Sequence, residues 1–279
     1  MKNNQCPDGP WRIEPETLEA ALETEFAGRP ALTPALKNWV EDLPGQNEKQ
    51  QTAPRLTWVN EINDIWMEIP RFENILWWGA WVGGVSLIIP LIMISFFMTL
   101  PNFFFNVSIT IFCLVSYICF VSLLFFNFRT VLFSPRGTPI RFNRQRQKIY
   151  VYEYQRKWNP WVRWPTTIKV FDWADVHAQM TRETGRYDQG YRLYGVVCKP
   201  GTTEIIDSFV LSWAVGHPKL LRGLWSHCCH YMQAKPVPTA PLLTKAPASW
   251  TPFNTVRWPA DIDRESTTGP EVTCTESCR

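Results

Sequence analysis

A run of fifty-five residues, from Asn74 to Phe128, contains no Asp, Glu, Lys, Arg or His. A helix needs about 20 consecutive apolar residues to cross the hydrocarbon core of a bilayer, so this run is long enough for two. We therefore predict membrane-spanning helices at 76–98 and 103–126, separated at Pro101-Asn102, with a kink at Pro90. The alternative is a buried hairpin of a large soluble protein, but soluble helices of this length normally have a polar face.

Basic residues close to the second predicted span indicate its orientation. Between residues 127 and 148 there are six Lys or Arg and no acidic residue, whereas residues 100–102 between the spans are uncharged. Because Lys and Arg near a span favour the cytoplasmic side, we predict a multi-pass membrane protein with both termini in the cytoplasm. No apolar signal-peptide segment precedes residue 74, so the first span is expected to act as the insertion signal.

The segment before the hairpin is predicted to be cytosolic, helical and partly disordered over residues 1–74. Apolar residues at helical spacing predict a short helix at 16–26, and Pro34 is expected to begin a second helix that ends near Pro44-Gly45. Residues 1–74 hold seven Lys or Arg against thirteen Asp or Glu, and residues 127–279 hold twenty-one against twelve. This asymmetry places the two segments in different electrostatic settings.

Alternating apolar and polar residues after the hairpin predict strands rather than helices. Six short strands are expected at 139–143, 148–152, 166–172, 176–182, 191–198 and 204–210, followed by one amphipathic helix at 218–232. The predicted fold is thus an α+β membrane protein. It has a transmembrane hairpin at 75–127, then a small antiparallel β-barrel at 128–235 that is closed by a C-terminal helix. The Pro-, Thr- and Ser-rich tail at 236–279 is predicted to be disordered.

Several short motifs follow one another in the second half of the chain. They are residues 141–150 (RFNRQRQKIY), Asn159-Pro160-Trp161 with Trp164-Pro165, Phe171-Asp172-Trp173, Trp225 and Tyr231-Met232. Their order resembles a family of bacterial inner-membrane proteins of unknown function. The chain departs from the pattern of that family at residues 227–230, where His-Cys-Cys-His stands in place of charged residues.

The resemblance implies a fold and a genomic setting rather than an activity. Members of the family have two spans followed by a cytosolic domain similar to the pleckstrin-homology barrel. The family is similar to proteins encoded beside type VI secretion clusters, where effectors, immunity proteins and adaptors lie together. It supplies no catalytic residues that could be carried over to this chain.

A glycine pair in the first span is a candidate helix-packing site. Gly79 and Gly83 are four residues apart, and small residues at this spacing let two helices approach closely. The partner could be the second span or a second copy of the chain, which would make a homodimer through the hairpin. Because a short loop forces the two spans together, packing within the chain is the favoured interpretation.

Four basic residues, Arg141, Arg144, Arg146 and Lys148, are candidate contacts for anionic lipid. Basic side chains near an anionic leaflet contribute about 1 kcal/mol each to membrane binding. The alternative is that they only determine topology and face water in a hairpin turn, since the orientation rule already requires such charge.

Three tryptophans, Trp158, Trp161 and Trp164, alternate with cations in residues 156–165 and form a candidate interfacial site. Such residues dock at lipid interfaces, although the tryptophans could equally fill the core of the barrel. Stacking on nucleobases would use the same residue types, but no nucleic-acid-binding signature accompanies them, so no nucleic-acid partner is predicted.

The sequence does not predict an enzyme, a cofactor or a metal site. His227-Cys228-Cys229-His230 would point in four directions on a helix, whereas zinc needs three or four convergent ligands. No nucleophile elbow, phosphate-binding loop or metalloprotease motif is present. The eight cysteines show no spacing typical of a disulfide scaffold.

These observations lead us to expect a membrane-anchored interaction protein that contacts lipid and a protein partner. On the resemblance, the expected role is an immunity or accessory protein of a type VI secretion toxin system. The alternatives are an envelope scaffold that binds anionic lipid and an adaptor that loads an effector. The absence of ionisable residues in either span disfavours transport, since proton and ion paths normally need such groups.

Overall fold

The computed structural model describes residues 32–73, 77–100, 107–185, 189–245 and 253–270. Its strands are β1 (Trp39–Asp42), β2 (Glu61–Ile62), β3 (Trp66–Arg71), β4 (Thr138–Asn143), β5 (Lys148–Tyr154), β6 (Thr166–Asp172), β7 (Val176–Thr184), β8 (Gln189–Cys198) and β9 (Ile205–Val215). Its α-helices are α1 (Trp77–Ser86), α2 (Ile88–Met98), α3 (Val107–Phe133), α4 (Pro218–Met232) and α5 (Ala260–Thr267), and a 3-10 turn, Trp173–Asp175, joins β6 to β7. The predicted six strands and the helix at 218–232 are therefore confirmed, with ends shifted by a few residues.

The strands form two antiparallel sheets that share one hydrophobic core. The first sheet has the order β2-β3-β4-β5-β6 and the second the order β1-β7-β8-β9. Residues of both sheets, such as Ile140 and Leu193, lie in the same buried cluster as Leu221 and Trp225 of α4. The amphipathic helix α4 therefore closes the sandwich with its apolar face.

The apolar helices are inserted into the connection between two neighbouring strands. β3 ends at Arg71, opposite Thr138 at the start of β4, and the ladder runs to the pair Trp66 and Asn143. Between Arg71 and Thr138 the chain forms α1, α2 and α3. The helices therefore emerge from one end of the sandwich, which we call the hairpin end.

Two helical stretches, Trp81–Met98 and Val107–Phe133, are long and apolar enough to span a membrane by length and composition. In the 18-residue apolar window of each stretch, only 6% of the first and none of the second is buried inside the protein, unlike the core helices of soluble proteins. The first stretch is interrupted at Leu87, between α1 and α2. Pro90 explains this interruption, because its ring lacks an N–H and clashes with the carbonyl four residues earlier, at Ser86.

The N-terminal segment differs from the prediction. Where a helix was expected after Pro34, the structure has strand β1, which pairs with β7. Leu43, Leu56 and Met67 lie in the same core as the later strands, and Arg222 of α4 makes two hydrogen bonds of 2.8 and 3.1 Å to Glu41. Residues 32–73 are thus part of the sandwich rather than a separate segment, and the helix predicted at 16–26 lies outside the described residues.

The predicted closed barrel is wrong, because the two sheets do not join into one ladder. β6 pairs only with β5 and β9 only with β8 among the described strands. Side chains bridge the gap between them: Lys169 donates to both carboxylate oxygens of Asp207 at 2.9 Å, and Phe171 stacks on Phe209. The turn at Trp173–Asp175 redirects the chain into the second sheet, and so the sheets remain separate.

The prediction of a disordered tail is wrong for residues 253–270. Helix α5 lies against β4, and the N–H of Phe253 donates to the carbonyl of Leu132 at 2.7 Å. The composition of the tail favours disorder. Contacts with the first sheet override this tendency, because the ring of Trp258 packs on the guanidinium of Arg141 and Ser266 is buried. We call residues 253–270 the C-terminal segment.

Gly137 is required where the chain returns from α3 to β4. Its φ is +62°, and a Cβ there would lie 2.6 Å from Cε1 of Phe72. Gly137→Ala should lower the free energy of unfolding by about 2–5 kcal/mol, from about 1–2 for the left-handed backbone and about 1–3 for the clash. Denaturant titration of the full chain in mild detergent would measure this loss.

Gly201→Ala is the matched control, since Gly201 also has a positive φ, +72°, but nothing within 4 Å of its Cβ position. It should lose only the backbone contribution of about 1–2 kcal/mol. Equal losses in the two variants would contradict a steric role for Phe72.

Candidate functional site

Arg141, predicted to contact lipid, is buried under the C-terminal segment. Its Nε donates to Glu68 at 2.6 Å, and its Nη1 donates to Asp263 at 2.5 Å and to Ser266 at 2.9 Å. The guanidinium also lies between two indole rings, 4.9 Å from the ring centre of Trp66 and 4.4 Å from that of Trp258. The Arg141 side chain thus holds α5 on the sheet through both charge pairing and cation–π contact.

The other three basic residues of this group also contact the chain itself. Arg146 donates to the carbonyls of Thr268 at 3.0 Å and Gly269 at 2.7 Å, and Lys148 lies 3.6 Å from Glu265. Arg144 pairs with Asp64 at 2.8 Å. All four residues therefore make contacts within the chain, and their binding to lipid stays a prediction.

The position of the β4–β5 turn explains why these basic residues lie far from the end of the second span. A strand advances about 3.3 Å per residue, so the path from Thr138 to Asn143 carries the chain about 17 Å away from the hairpin end. Arg144, Arg146 and Lys148 follow at the far end of that strand. Closeness in sequence to the second span therefore does not place these residues near the end of that span in the structure.

Replacing Arg141 tests its structural role. Arg141→Ala leaves Glu68 buried without its cation, and we expect a loss of about 3–5 kcal/mol in the free energy of unfolding. The C-terminal segment should also become accessible to protease, as measured by cleavage near Arg264.

Arg144→Ala is the control for that variant, because the side chain of Asp64 is 97% exposed. Exposed ion pairs contribute about 0–1 kcal/mol, so a small loss is expected. If protease cuts the segment equally fast in both variants, Arg141 does not hold it.

The three tryptophans lie at the hairpin end, against the last turns of α3. Trp161 stacks on Phe125 with ring centres 4.8 Å apart, whereas Trp158 and Trp164 both contact Phe126. This arrangement follows from the topology, since β5 runs antiparallel to β4 and ends where α3 enters the domain. We call residues 155–165 the tryptophan loop.

Exposure separates the three tryptophans into two roles. Trp164 is 3% exposed, and the guanidinium of Arg129 lies 4.8 Å from its ring centre. Trp158 and Trp161 are 88% and 62% exposed beside the cations Lys157 and Arg163. The structure thus gives Trp164 a core position, as the alternative interpretation had it, and leaves Trp158 and Trp161 free to contact an interface.

The glycine pair is divided between two environments. A Cβ at Gly83 would lie 3.9 Å from Oδ1 of Asn127 on α3, whereas Gly79 is exposed. Gly84, which is buried, also faces the other helix, since a Cβ there would lie 3.7 Å from Cζ of Phe128. Packing between α1 and α3 within the chain therefore uses Gly83 and Gly84, and the homodimer stays a prediction.

The His-Cys-Cys-His stretch lies in the buried part of α4. Nε2 of His227 is 2.8 Å from the carbonyl of Pro238. Burial raises the pKa of Cys229 to about 12 and also raises that of Cys228, so both remain thiols near neutral pH. Among the described residues no group of three or more His, Cys, Asp or Glu could hold a metal ion.

A cavity opens at the hairpin end, between the ends of β3, β4 and β5 and the strands β8 and β9. Its volume is about 270 Å³, and its charged lining consists of Arg71, Glu73, Arg136, Glu153 and Arg156. We call it the mouth cavity.

The arginine at the base of the mouth cavity joins the two sheets. Arg71 donates to the carbonyls of Thr138 at 3.0 Å, Tyr152 at 2.5 Å and Val210 at 2.9 Å. Burial lowers its pKa to about 10, a value at which the group still carries its charge at neutral pH. The cation is therefore fixed at the back of the cavity.

Sequence reasoning missed the mouth cavity. The available signal was the position of its charged residues at the two ends of the uncharged run: Arg71 and Glu73 come just before it and Arg136 shortly after it. Only the pairing of β3 with β4 brings these ends together.

Comparison with known proteins adds a family match but no function. No curated protein and no solved structure gave a significant match. Strands β1–β3, helices α1 and α2 and helix α5 lie outside the matched part of the chain. Residues 117–255, from within α3 to beyond α4, match the model of a family of unknown function, DUF6708.

Proposed function

We propose that the chain is an integral membrane protein that holds its β-sandwich at the membrane surface and acts there by binding a protein partner. The main support is that the apolar helices emerge from one end of the sandwich with almost no burial. Only 6% and 0% of their 18-residue apolar windows are buried by the rest of the protein. Apolar surface of this extent needs a covering, and lipid together with a membrane partner supplies one.

Several features support a sandwich on the cytoplasmic side of a bacterial inner membrane, anchored there by the apolar helices. Arg129 and Arg136 lie just after the uncharged run, where the orientation rule expects cytoplasmic cations. The exposed Trp158 and Trp161 lie beside them at the hairpin end, as aromatic residues do at membrane interfaces. Two antiparallel sheets followed by helix α4 are also the order of elements expected for a pleckstrin-homology-like domain.

The more specific proposal is an immunity or accessory protein of a type VI secretion toxin system, which rests on the family resemblance. Helix α2 ends at Met98 and α3 begins at Val107, so few residues remain outside the bilayer on the far side. Specific interfaces bury about 800 Å² on each partner, more than such a tip offers. The partner would therefore be met within the bilayer or on the cytoplasmic side.

Helix α2 offers the surface for a partner within the bilayer. Ile89, Ile92 and Phe96 are 62%, 63% and 64% exposed and are spaced along one face of the helix. α2 has no buried residue, so this face is not used for packing in the sandwich or hairpin. An inserting toxin helix could pack there by shape, as helices in membranes do.

Co-expression with the toxin gene adjacent to this one tests the proposal. The full chain should restore growth and co-purify with the toxin in detergent. Ile92→Leu combined with Phe96→Leu keeps the span apolar but alters its shape, so protection should fall while membrane insertion is kept. Ile111→Leu with Phe112→Leu, exposed at 56% and 72% on α3, is the matched control.

Absence of both protection and co-purification with the full chain would refute the toxin-binding role. A topology reporter distinguishes that result from a failure of the chain to insert into the membrane. Alkaline phosphatase fused after Leu100 should be active and the same enzyme fused after Lys245 inactive. The reverse pattern would show that the sandwich lies outside the cytoplasm.

A further inference from the structure

One hydroxyl group of the mouth cavity makes no hydrogen bond within the described part of the chain. Ser134, the first residue after α3, is 3% exposed and lines the cavity. Its hydroxyl oxygen is buried and has no hydrogen-bond partner among the described residues. A buried hydroxyl without a partner is costly, and a polar ligand in the cavity would remove that cost.

Positive charge predominates around that hydroxyl. Arg71, Arg136 and Arg156 line the cavity together with two carboxylates, Glu73 and Glu153. Glu73 pairs with Arg156, and Glu153 lies 3.6 Å from Lys169 outside the cavity. The lining is therefore suited to an anion.

The pKa shifts agree with this electrostatic picture. Burial lowers the pKa of Arg136, whose guanidinium lies 5.6 Å from the ring centre of Phe72. Burial likewise raises the pKa of Glu73 against the opposing effect of Arg156. An anion beside Arg136 would offset the desolvation of that cation.

If Arg129 marks the edge of the hydrocarbon core, the cavity lies at the depth of lipid headgroups. Arg129 is the first charged residue after the uncharged run, and Ser134 follows it by five residues, which is about 7.5 Å along a helix. The headgroup region extends about 5–8 Å beyond the hydrocarbon core on each side. The exposed Trp158 and Trp161 lie at the same end of the sandwich.

We propose that the mouth cavity binds a phosphate-bearing anion, and that its source is the headgroup of an anionic phospholipid. Arg136 supplies one cation and Arg156, which also pairs with Glu73, supplies the other, and the Ser134 hydroxyl donates a hydrogen bond to a phosphate oxygen. Arg71 fixes the back of the cavity through its three backbone carbonyls. The volume of about 270 Å³ fits a headgroup better than a whole lipid, since it lies near the lower end of ligand pockets, about 300–1,000 Å³.

This inference rests on the membrane anchoring in the proposed function but not on the toxin partner. It differs from lipid binding by Arg141, Arg144, Arg146 and Lys148, which contact the C-terminal segment and Asp64 instead. The same chain could therefore recognise lipid at the hairpin end while its far end remains closed by its own tail.

Native mass spectrometry of the full chain in neutral detergent tests the site. Short-chain phosphatidylglycerol should bind saturably at one molecule per chain, and phosphatidylcholine of the same chain length more weakly. Arg136→Gln should weaken phosphatidylglycerol binding about tenfold, because charge-assisted hydrogen bonds are lost. Arg163→Gln removes the same charge from an exposed position in the tryptophan loop and should change binding less than about twofold.

Ser134→Ala separates binding from folding. Because the hydroxyl has no hydrogen-bond partner among the residues that the structure describes, its removal should leave unfolding by denaturant unchanged yet weaken lipid binding about threefold. Equal weakening by Arg136→Gln and Arg163→Gln, or an unsaturable titration, would overturn a defined lipid site.

Glycerol phosphate and inorganic phosphate distinguish the two sources of the anion. Binding of these soluble probes as tightly as the lipid, with the same dependence on Arg136, would support a phosphate site filled from solution. Binding of neither lipid nor soluble probe overturns the proposal. Release of the chain from membranes by alkaline carbonate would instead refute anchoring, while the soluble probes would still test the phosphate site.

Discussion

The antiparallel pairing of β3 with β4 is the constraint on which the rest of the structure depends. Six residue pairs, from Trp66–Asn143 to Arg71–Thr138, join the chain on either side of the apolar helices. This ladder places β3, which precedes the helices, between β2 and β4 in the first sheet, and it fixes both ends of the hairpin at one end of the sandwich. Arg71 then ties that end to the second sheet through the carbonyl of Val210. The two sheets are therefore held together at the end where the hairpin begins.

The two ends of the sandwich consequently have different roles. At the hairpin end, the mouth cavity, Arg129 and the tryptophan loop lie together at the level where a bilayer would meet the domain. At the far end and along the outer face of the first sheet, the chain covers its own polar residues. Arg141, Asn143 and Tyr150 are all buried there, and the C-terminal segment supplies their partners. A functional surface is thus expected at the first end rather than the second.

Part of this arrangement could be predicted from local pattern. The strands β4–β9 and helix α4 follow from alternating and helical periodicities, and Pro90 predicts the interruption at Leu87. The roles of Arg141 and Arg146 could not be predicted, because their partners Asp263 and Thr268 are 122 residues away in sequence. Strand β1 was also missed: its helix-like spacing of apolar residues was overridden by pairing with the edge of β7.

The sequence by itself determined that two uncharged segments would avoid water, because no ionisable residue interrupts residues 74–128. It also determined the order of strands after them, through periodicities that act over a few residues. Only the tertiary structure decided which basic residues lie under the C-terminal segment and which line the mouth cavity. Pairing over long distances in the chain sends Arg141 under α5 and gathers Arg71, Arg136 and Arg156 around Ser134. Local composition does not predict such contacts, since they form only once β3 has paired with β4 across the hairpin.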